Sequence, residues 1–356
     1  MRFHPAWVRK PERYKVGRRQ SAAVVMAAGE SKRMKSSTTK VLHRIAGKPV
    51  LHYTLEAIRE AGTDRIVVVV GRQANEVRMS FEGGGVEFMT QEKQLGTGHA
   101  THVGLKPLGE FEGDVLVLCG DVPLVRKETL TDLIELHREK NSKVTLLTTN
   151  LLDPKGYGRI VRGEGGLIMK IVEEKEAGSE EKKIKEINSG IMCFDFDYVS
   201  TALEEMIGQP REGEYYLTDV IEMARAAGHD VFGHLIEDAA EVQGINDRRE
   251  LSIVENVLME RIRTHHMKNG VTIINPGTVL IDADVTIGKD TILHQGSIIE
   301  GNTHIGNGCS IGPFSKIVDS TLRENVQLEG WNFVTGVELS DGARVMAHES
   351  KGKEKS

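Results

Sequence analysis

Residues 281–317 read IDADVTIGKDTILHQGSIIEGNTHIGNGCSIGPFSKI. An aliphatic side chain returns every six residues, at Ile281, Ile287, Leu293, Ile299, Ile305, Ile311 and Ile317. Four residues after each comes a small or β-branched one: Val285, Thr291, Ser297, Thr303, Cys309, Ser315 and Thr321. After a five-residue step the pattern resumes at Leu322, Leu328 and Val334, and after another at Leu339 and Val345. This is the hexapeptide signature of a parallel β-helix. In its left-handed form three hexads make one triangular coil. The aliphatic residue fills the axis and the small residue fits the corner. Left-handed crossovers depart from the usual right-handed rule. Roughly four coils fit between Asn275 and Met346.

Upstream the period changes. Residues 247–269 have the pattern of one long helix, and Asn269-Gly270 is a good stop for it. Between Ser21 and Asp247, apolar runs at 22–26, 65–70, 86–89, 114–119, 144–148, 167–172 and 190–194 read as strands. They alternate with helical patterns at 50–61, 98–105, 127–140, 198–207 and 217–227. Buried strands alternating with helices predict an α/β domain with a doubly wound, mostly parallel sheet. The expected organisation is a basic extension without fold over 1–20, an α/β domain over 21–246, a connecting helix over 247–269, a left-handed β-helix over 270–346, and a frayed tail over 347–356. The charged stretch 173–186 has no apolar period and reads as a mobile loop.

The chain has 356 residues, 39% hydrophobic and 28% charged, with net charge −6. That balance gives no general argument for nucleic acid or membrane. No apolar run approaches the roughly 20 residues that span a bilayer. In the first twenty residues Arg2, Arg9, Lys10, Arg13, Lys15, Arg18 and Arg19 face only Glu12. Without an apolar run behind them they are not a secretory signal; a tether to an anionic surface stays open. Cys119, Cys193 and Cys309 are the three cysteines. They are far apart, which fits a reducing cytoplasm with no disulfide framework and no zinc site.

The chemistry is suggested by three loops. The strand at 22–26 breaks into Ala27-Ala28-Gly29 and then a loop with Lys32, Arg33, Lys35 and Lys40. Small residues let backbone N–H groups approach an anion, and the basic side chains neutralise it. No Gly-Lys-Ser/Thr closes the loop, so it is not a Walker A loop; alone, it also fits a plain strand-to-helix turn. Asp121 follows the strand ending at Cys119, at the carboxyl end where ligands of such sheets bind. A carboxylate there suits Mg²⁺, a hard cation that takes oxygen ligands, although a helix N-cap is the alternative. Gln91 precedes the small-residue loop Gly96-Thr97-Gly98. Its amide can pair with a pyrimidine edge, but because the amide can flip, it cannot alone tell uracil from cytosine. No nucleophile or carboxylate pair suggests itself. A phosphate oxygen attacking a nucleotide α-phosphate is already an anion and needs no general base, so positioning and charge neutralisation suffice.

Several segments occur together and in order: Val24-Val25-Met26-Ala27-Ala28-Gly29, Arg33-Met34, Lys40-Val41-Leu42-His43, Gln94-Leu95-Gly96-Thr97-Gly98-His99-Ala100 and Gly120-Asp121-Val122-Pro123-Leu124. Further on stand Gly156-Tyr157-Gly158-Arg159-Ile160, Glu186-Ile187-Asn188-Ser189-Gly190, Gly213-Glu214-Tyr215-Tyr216-Leu217-Thr218-Asp219 and Gly244-Ile245-Asn246-Asp247. The chain thereby resembles the bacterial N-acetylglucosamine-1-phosphate uridylyltransferases. The resemblance implies that UTP and N-acetylglucosamine-1-phosphate give UDP-N-acetylglucosamine and pyrophosphate, with Mg²⁺. Carried over by position, Asp121 and Asn246 are the implied Mg²⁺ ligands, and Arg33 and Lys40 the phosphate-neutralising pair beside Ala28 and Gly29. Gln91, Gly96 and Thr97 are the implied uridine readers, and Gly158, Glu173, Asn188 and Thr218 the sugar contacts.

The resemblance has departures. Ser31, Lys32 and Thr39 stand where the family usually has Gly, Thr and Pro. Ser31 is expected to be tolerated only if its φ is negative, and Thr39 to loosen the loop before Lys40. Two-domain members also use later coils for acetyl transfer. No matching segment is seen here, so no acetyltransferase activity is expected, and the coils are expected to build a homotrimer. A sugar-1-phosphate nucleotidyltransferase using glucose-1-phosphate or dTTP, or a non-catalytic regulatory homologue, is the alternative.

Overall fold

The computed structural model describes residues 19–29, 31–71, 74–209 and 213–352. In chain order the first part forms β1 (Gln20–Ala27), a small hairpin of β2 (Arg44–Ile45) and β3 (Lys48–Pro49), α1 (Val50–Glu60), β4 (Arg65–Val70), α2 (Ala74–Ser80), β5 (Glu87–Thr90), α3 (Thr97–Leu105), β6 (Gly113–Cys119) and α4 (Lys127–Glu139). Then come β7 (Val144–Asn150), β8 (Arg159–Arg162), β9 (Ile168–Val172), β10 (Glu186–Asp195), α5 (Phe196–Gly208), α6 (Asp219–Ala226), β11 (Val231–Ile236) and α7 (Arg248–Lys268).

The main sheet runs β11-β7-β10-β6-β1-β4-β5. Every neighbouring pair is parallel except those made by β10, which runs antiparallel to both β6 and β7. The apolar runs are continuous because the sheet is buried on both faces. In β1, Ala22 and Val24 point into a core with α3, α5 and α6, while Ala23, Val25 and Ala27 point into another with α1 and α4. Gly104 lets α3 lie close to the sheet: a Cβ there would stand 2.4 Å from Val24 Cγ1.

From β12 (Thr272–Ile273) to β25 (Ser350–Gly352) fourteen short strands stack into parallel sheets of five, five and four strands. They make four full coils and two strands of a fifth, the triangular prism of a left-handed hexapeptide β-helix. Partners lie eighteen residues apart at Ile281 and Ile299, and seventeen apart at Ile311 and Leu328, after the first five-residue step. Leu293, Ile299, Ile311, Ile317 and Val334 are fully buried on the axis. Each such side chain contributes about 1.5–3 kcal/mol of apolar burial.

The structure departs from the sequence reading in several places. Strands β8 and β11 and helix α2 had no reading, and β10 is longer than 190–194 and reversed. Thr321 is not a corner residue. The corner lies two residues before each axial aliphatic, so in the five-residue step Ser320 takes it, 2% exposed, and Thr321 enters a strand. The helix does not end at residue 346, because Ser350–Gly352 pairs with Phe333–Thr335. There Lys351 occupies the register of the buried Val334, which breaks the aliphatic period at the last coil. The extension 1–20 is structured at its end. Arg19 pairs with Asp114 at 3.0 Å and with Asp195, and β1 begins at Gln20. Residues 1–18 lie outside the described part. The segment 173–186 carries a single helical turn at Glu181–Lys183, pinned by the Lys170–Glu181 ion pair at 3.1 Å.

Candidate functional site

The site gathers where parallel strands end. Strand β1 delivers Ala28 and Gly29. Strand β6 ends at Cys119, and the turn after it carries Asp121, only 6% exposed. Gly120 N–H bonds to Met26 O at 2.9 Å, which fixes the turn against β1. The Lys40 ammonium is ion-paired with the Asp121 carboxylate. Ile245 N–H donates to the Asp121 carbonyl at 3.1 Å, so the next residue, Asn246, is brought to the same place. Arg33 Nη2 donates to Asn246 Oδ1 at 2.8 Å. Two bonds at the start of α7 hold that turn: the N-cap Asp247 accepts from Glu250 N–H at Oδ1, 2.8 Å, and Glu250 Oε2 accepts from Asn246 N–H at 2.7 Å. Met34, Leu124 and Ile245, each adjacent to a site segment, meet in one buried cluster with Val254, Leu258 and Met259 of α7.

Gln91 follows β5 and is 4% exposed. Its Nε2 donates to Gly96 O at 3.2 Å and faces His99 Nδ1 at 2.9 Å. Gln94 Nε2 donates to Ala28 O at 2.6 Å, tying this loop to β1. Gly96 has φ 97, and a Cβ on it would lie 2.5 Å from Tyr215 O. Tyr215 N–H bonds to Leu95 O and Gly98 N–H to Tyr215 O, both at 2.8 Å, and Thr97 Oγ1 accepts from Leu217 N–H at 3.0 Å. Two loops distant in sequence are thus stitched together.

These elements enclose two adjoining cavities. One, about 270 Å³, is lined by Ala28, Gly29, Lys40, Gln91, Gly96 and Asp121. The other, about 520 Å³, is lined by Glu173, Asn188 and Thr218 among others. Met26, Thr97, Cys119 and Glu214 line both. Gly158 stands behind the larger one, its carbonyl accepting Asn188 N–H at 2.9 Å, and a Cβ on it would be 3.4 Å from Glu173 Oε1. Reversal of β10 is what brings Asn188 to this end of the sheet. Burial, with Glu176 and Asp219 nearby, raises the Glu173 pKa above the usual carboxylate range. Burial, with Asp121 beside it, pushes the Cys119 thiol up to about 12, so it stays protonated and is no nucleophile.

Two departures read differently in three dimensions. Ser31 does adopt a left-handed backbone, with φ 52, contrary to the condition set for its tolerance. Its hydroxyl compensates by accepting Lys40 N–H at 3.0 Å. Thr39 is 4% exposed with φ −61 and ψ 145, close to the geometry proline would impose, so the loop is held there by burial.

Sequence reasoning gave no role to His99, nor to Arg159. Arg159 is 2% exposed, and its guanidinium joins Glu174 Oε2 at 2.6 Å to the carbonyl of Tyr157. It therefore braces the 156–158 loop against the turn after β9. Only its place in the Gly156–Ile160 segment could have signalled it. As for metal, Asp121 and Asn246 offer oxygen donors alone, which suits Mg²⁺. Among the described residues no three His, Cys, Asp or Glu side chains form a metal-holding group. Phosphate oxygens and water would complete the shell, as Mg²⁺ prefers. Among the described residues no helix is long and apolar enough to cross a membrane.

Residues 23–161 match the MobA-like NTP transferase domain, and residues 284–319 the bacterial transferase hexapeptide (six repeats). The bifunctional protein GlmU of Caldanaerobacter subterraneus subsp. tengcongensis is 46% identical over 84% of this chain and 65% of its own length. That of Acetivibrio thermocellus is 46% identical over 86% of the chain and 66% of its own length. That of Pelobacter propionicus is 41% identical over 92% of the chain and 72% of its own length. The chain thus spans about two thirds of the length of these relatives. A nucleotidyltransferase-type sheet, a hexapeptide β-helix and this extent of identity lead to one conclusion: the chain belongs to the GlmU family.

Proposed function

We propose that the protein transfers a uridylyl group from UTP to N-acetylglucosamine-1-phosphate, giving UDP-N-acetylglucosamine and pyrophosphate, with Mg²⁺. The observation that carries this reading is the pairing of Lys40 with Asp121 and of Arg33 with Asn246, beside two cavities that share a wall. The smaller cavity suits the nucleotide and the larger the sugar.

In this reading a phosphate oxygen of the sugar phosphate attacks the α-phosphorus of UTP. The bond to the β-phosphate oxygen breaks, and pyrophosphate leaves with the electron pair. No proton has to leave the nucleophile, so this step calls for no general base. Lys40 and Arg33 take up charge on the phosphates, and Ala28 and Gly29 let the backbone come close. Asp121 and Asn246 would hold Mg²⁺, which supplies further neutralisation of phosphate oxygens. Gln91, Gly96 and Thr97 meet the uridine; Gly158, Glu173, Asn188 and Thr218 meet the sugar. The β-helix supports a homotrimer, to be checked by the mass in solution. Three unpaired cysteines favour a cytoplasmic protein.

Pyrophosphate release across UTP, dTTP and CTP, each with N-acetylglucosamine-1-phosphate and glucose-1-phosphate, tests the reading. UTP with N-acetylglucosamine-1-phosphate should have the highest kcat/KM. A different best pair overturns the substrate assignment, and no release with any pair overturns nucleotidyl transfer.

A further inference from the structure

The orientation of the Gln91 amide, ambiguous in the sequence, is fixed by its neighbours. Its Nε2 lies 3.2 Å from Gly96 O and 2.9 Å from His99 Nδ1. A carbonyl oxygen only accepts. With the amide flipped, Oε1 would face the Gly96 oxygen, two acceptors in contact. The –NH₂ group therefore points inward, and His99 Nδ1 accepts its second hydrogen, which puts the imidazole proton on Nε2. Burial and Lys106 lower the His99 pKa, against an opposing bond to the Lys93 backbone, so the neutral ring is favoured. Gln91 is 4% exposed and lines the smaller cavity. With both amide hydrogens engaged, it has only an acceptor, Oε1, to offer a base.

We propose that His99 is a specificity-determining residue: by accepting from Gln91 Nε2 it locks the amide with Oε1 toward the base, so that the site takes pyrimidines bearing N3–H and rejects cytosine. Uracil and thymine carry a donor at N3, where cytosine carries a lone pair that would meet Oε1 acceptor to acceptor. This rests on the uridylyltransferase reading and names the residue behind its choice of base. His99 acts through Gln91 and is a positioning residue.

The test is kcat/KM for UTP and for CTP with N-acetylglucosamine-1-phosphate, in the wild type, His99→Leu and His99→Asn, with Tm for each. The wild type should prefer UTP by about a hundredfold or more. His99→Leu, which cannot accept, should lower that ratio about tenfold or more at nearly unchanged Tm. His99→Asn can place an oxygen near the Nδ1 position and should restore most of it. A wild type inactive with UTP would sink the functional reading itself. A wild type that uses UTP and CTP alike, or a His99→Leu variant that loses activity on both with the ratio intact, would overturn the role of His99 alone.

Discussion

The Lys40 ammonium is ion-paired with the Asp121 carboxylate, and beside it Arg33 Nη2 donates a hydrogen bond to the neutral Asn246 amide at Oδ1, 2.8 Å away. The two cations sit on the two oxygens proposed to hold Mg²⁺. Binding of the metal and triphosphate must then exchange partners, with the oxygens passing to the metal and the cations to the phosphates. Metal without nucleotide should bind weakly, because it competes with Lys40. Lys40→Met should raise the affinity for Mg²⁺ or Mn²⁺ alone severalfold by titration calorimetry. The same variant should lose about 10²–10³ in kcat. Unchanged metal affinity would show that Lys40 does not guard Asp121.

Ser31→Gly separates strain from function. The left-handed backbone at Ser31 costs about 1–2 kcal/mol for a residue with a side chain, while its hydrogen bond to Lys40 N–H contributes about 1 kcal/mol. Stability should change little by thermal melting. The backbone of Lys40 loses its tether, and kcat should fall about tenfold. In a Lys40→Met background the same change should have no further effect on kcat; an equal loss there would mean Ser31 acts by another route.

Glu173 gives a pH dependence with a definite sign. Its raised pKa means that the folded protein holds this proton more tightly than the unfolded chain does. Ionising Glu173 therefore costs folding stability as pH rises through the raised value. The ionised carboxylate accepts sugar hydroxyls on both oxygens and more strongly than the protonated acid does. KM for the sugar phosphate should rise as pH falls through that value from above, and Glu173→Gln should flatten this limb while raising KM at neutral pH. A wild-type limb that persists in Glu173→Gln belongs to another group.

Gly96→Ala puts a side chain where φ is 97 and Tyr215 O is 2.5 Å away. The clash opens the stitched pair of loops and should destabilise the fold by ~2–4 kcal/mol. The Kd for UTP, measured below the melting transition, should weaken about tenfold or more. Near-wild-type values for both would mean that the loops are not held as tightly as their hydrogen bonds indicate.

The β-helix was legible because an axial side chain every six residues leaves an unmistakable period, and β1, β4 and β6 because both-face burial leaves unbroken apolar runs. Strand β8 escaped because its apolar run is only Ile160-Val161, closed on either side by Arg159 and Arg162. The reversal of β10 was invisible because direction within a sheet leaves no local mark. Ser320 and Thr321 could not be told apart until the register tied each corner to the aliphatic that follows it. Within the site, the residue types of the three loops were readable. Their pairing was not, since Arg33 and Asn246 meet only through the fold. Ser31 shows a limit of reasoning by residue preference, because its hydrogen bond lies nine residues away in the chain.

The hairpin β2–β3 leans on the first coil of the β-helix: Ala283 N–H donates to Ala46 O at 3.0 Å, and Lys48 pairs with Asp284. Only a few residues separate Lys40 from Ala46, and the cluster containing Ala46 also contains Met34, Leu124 and Ile245. The solenoid is therefore an abutment as well as the proposed means of assembly. Anything that shifts its first coil, such as loss of a subunit from the proposed homotrimer or a truncation within it, presses on the ground beneath the proposed phosphate loop, so that assembly and turnover would share one mechanical foundation.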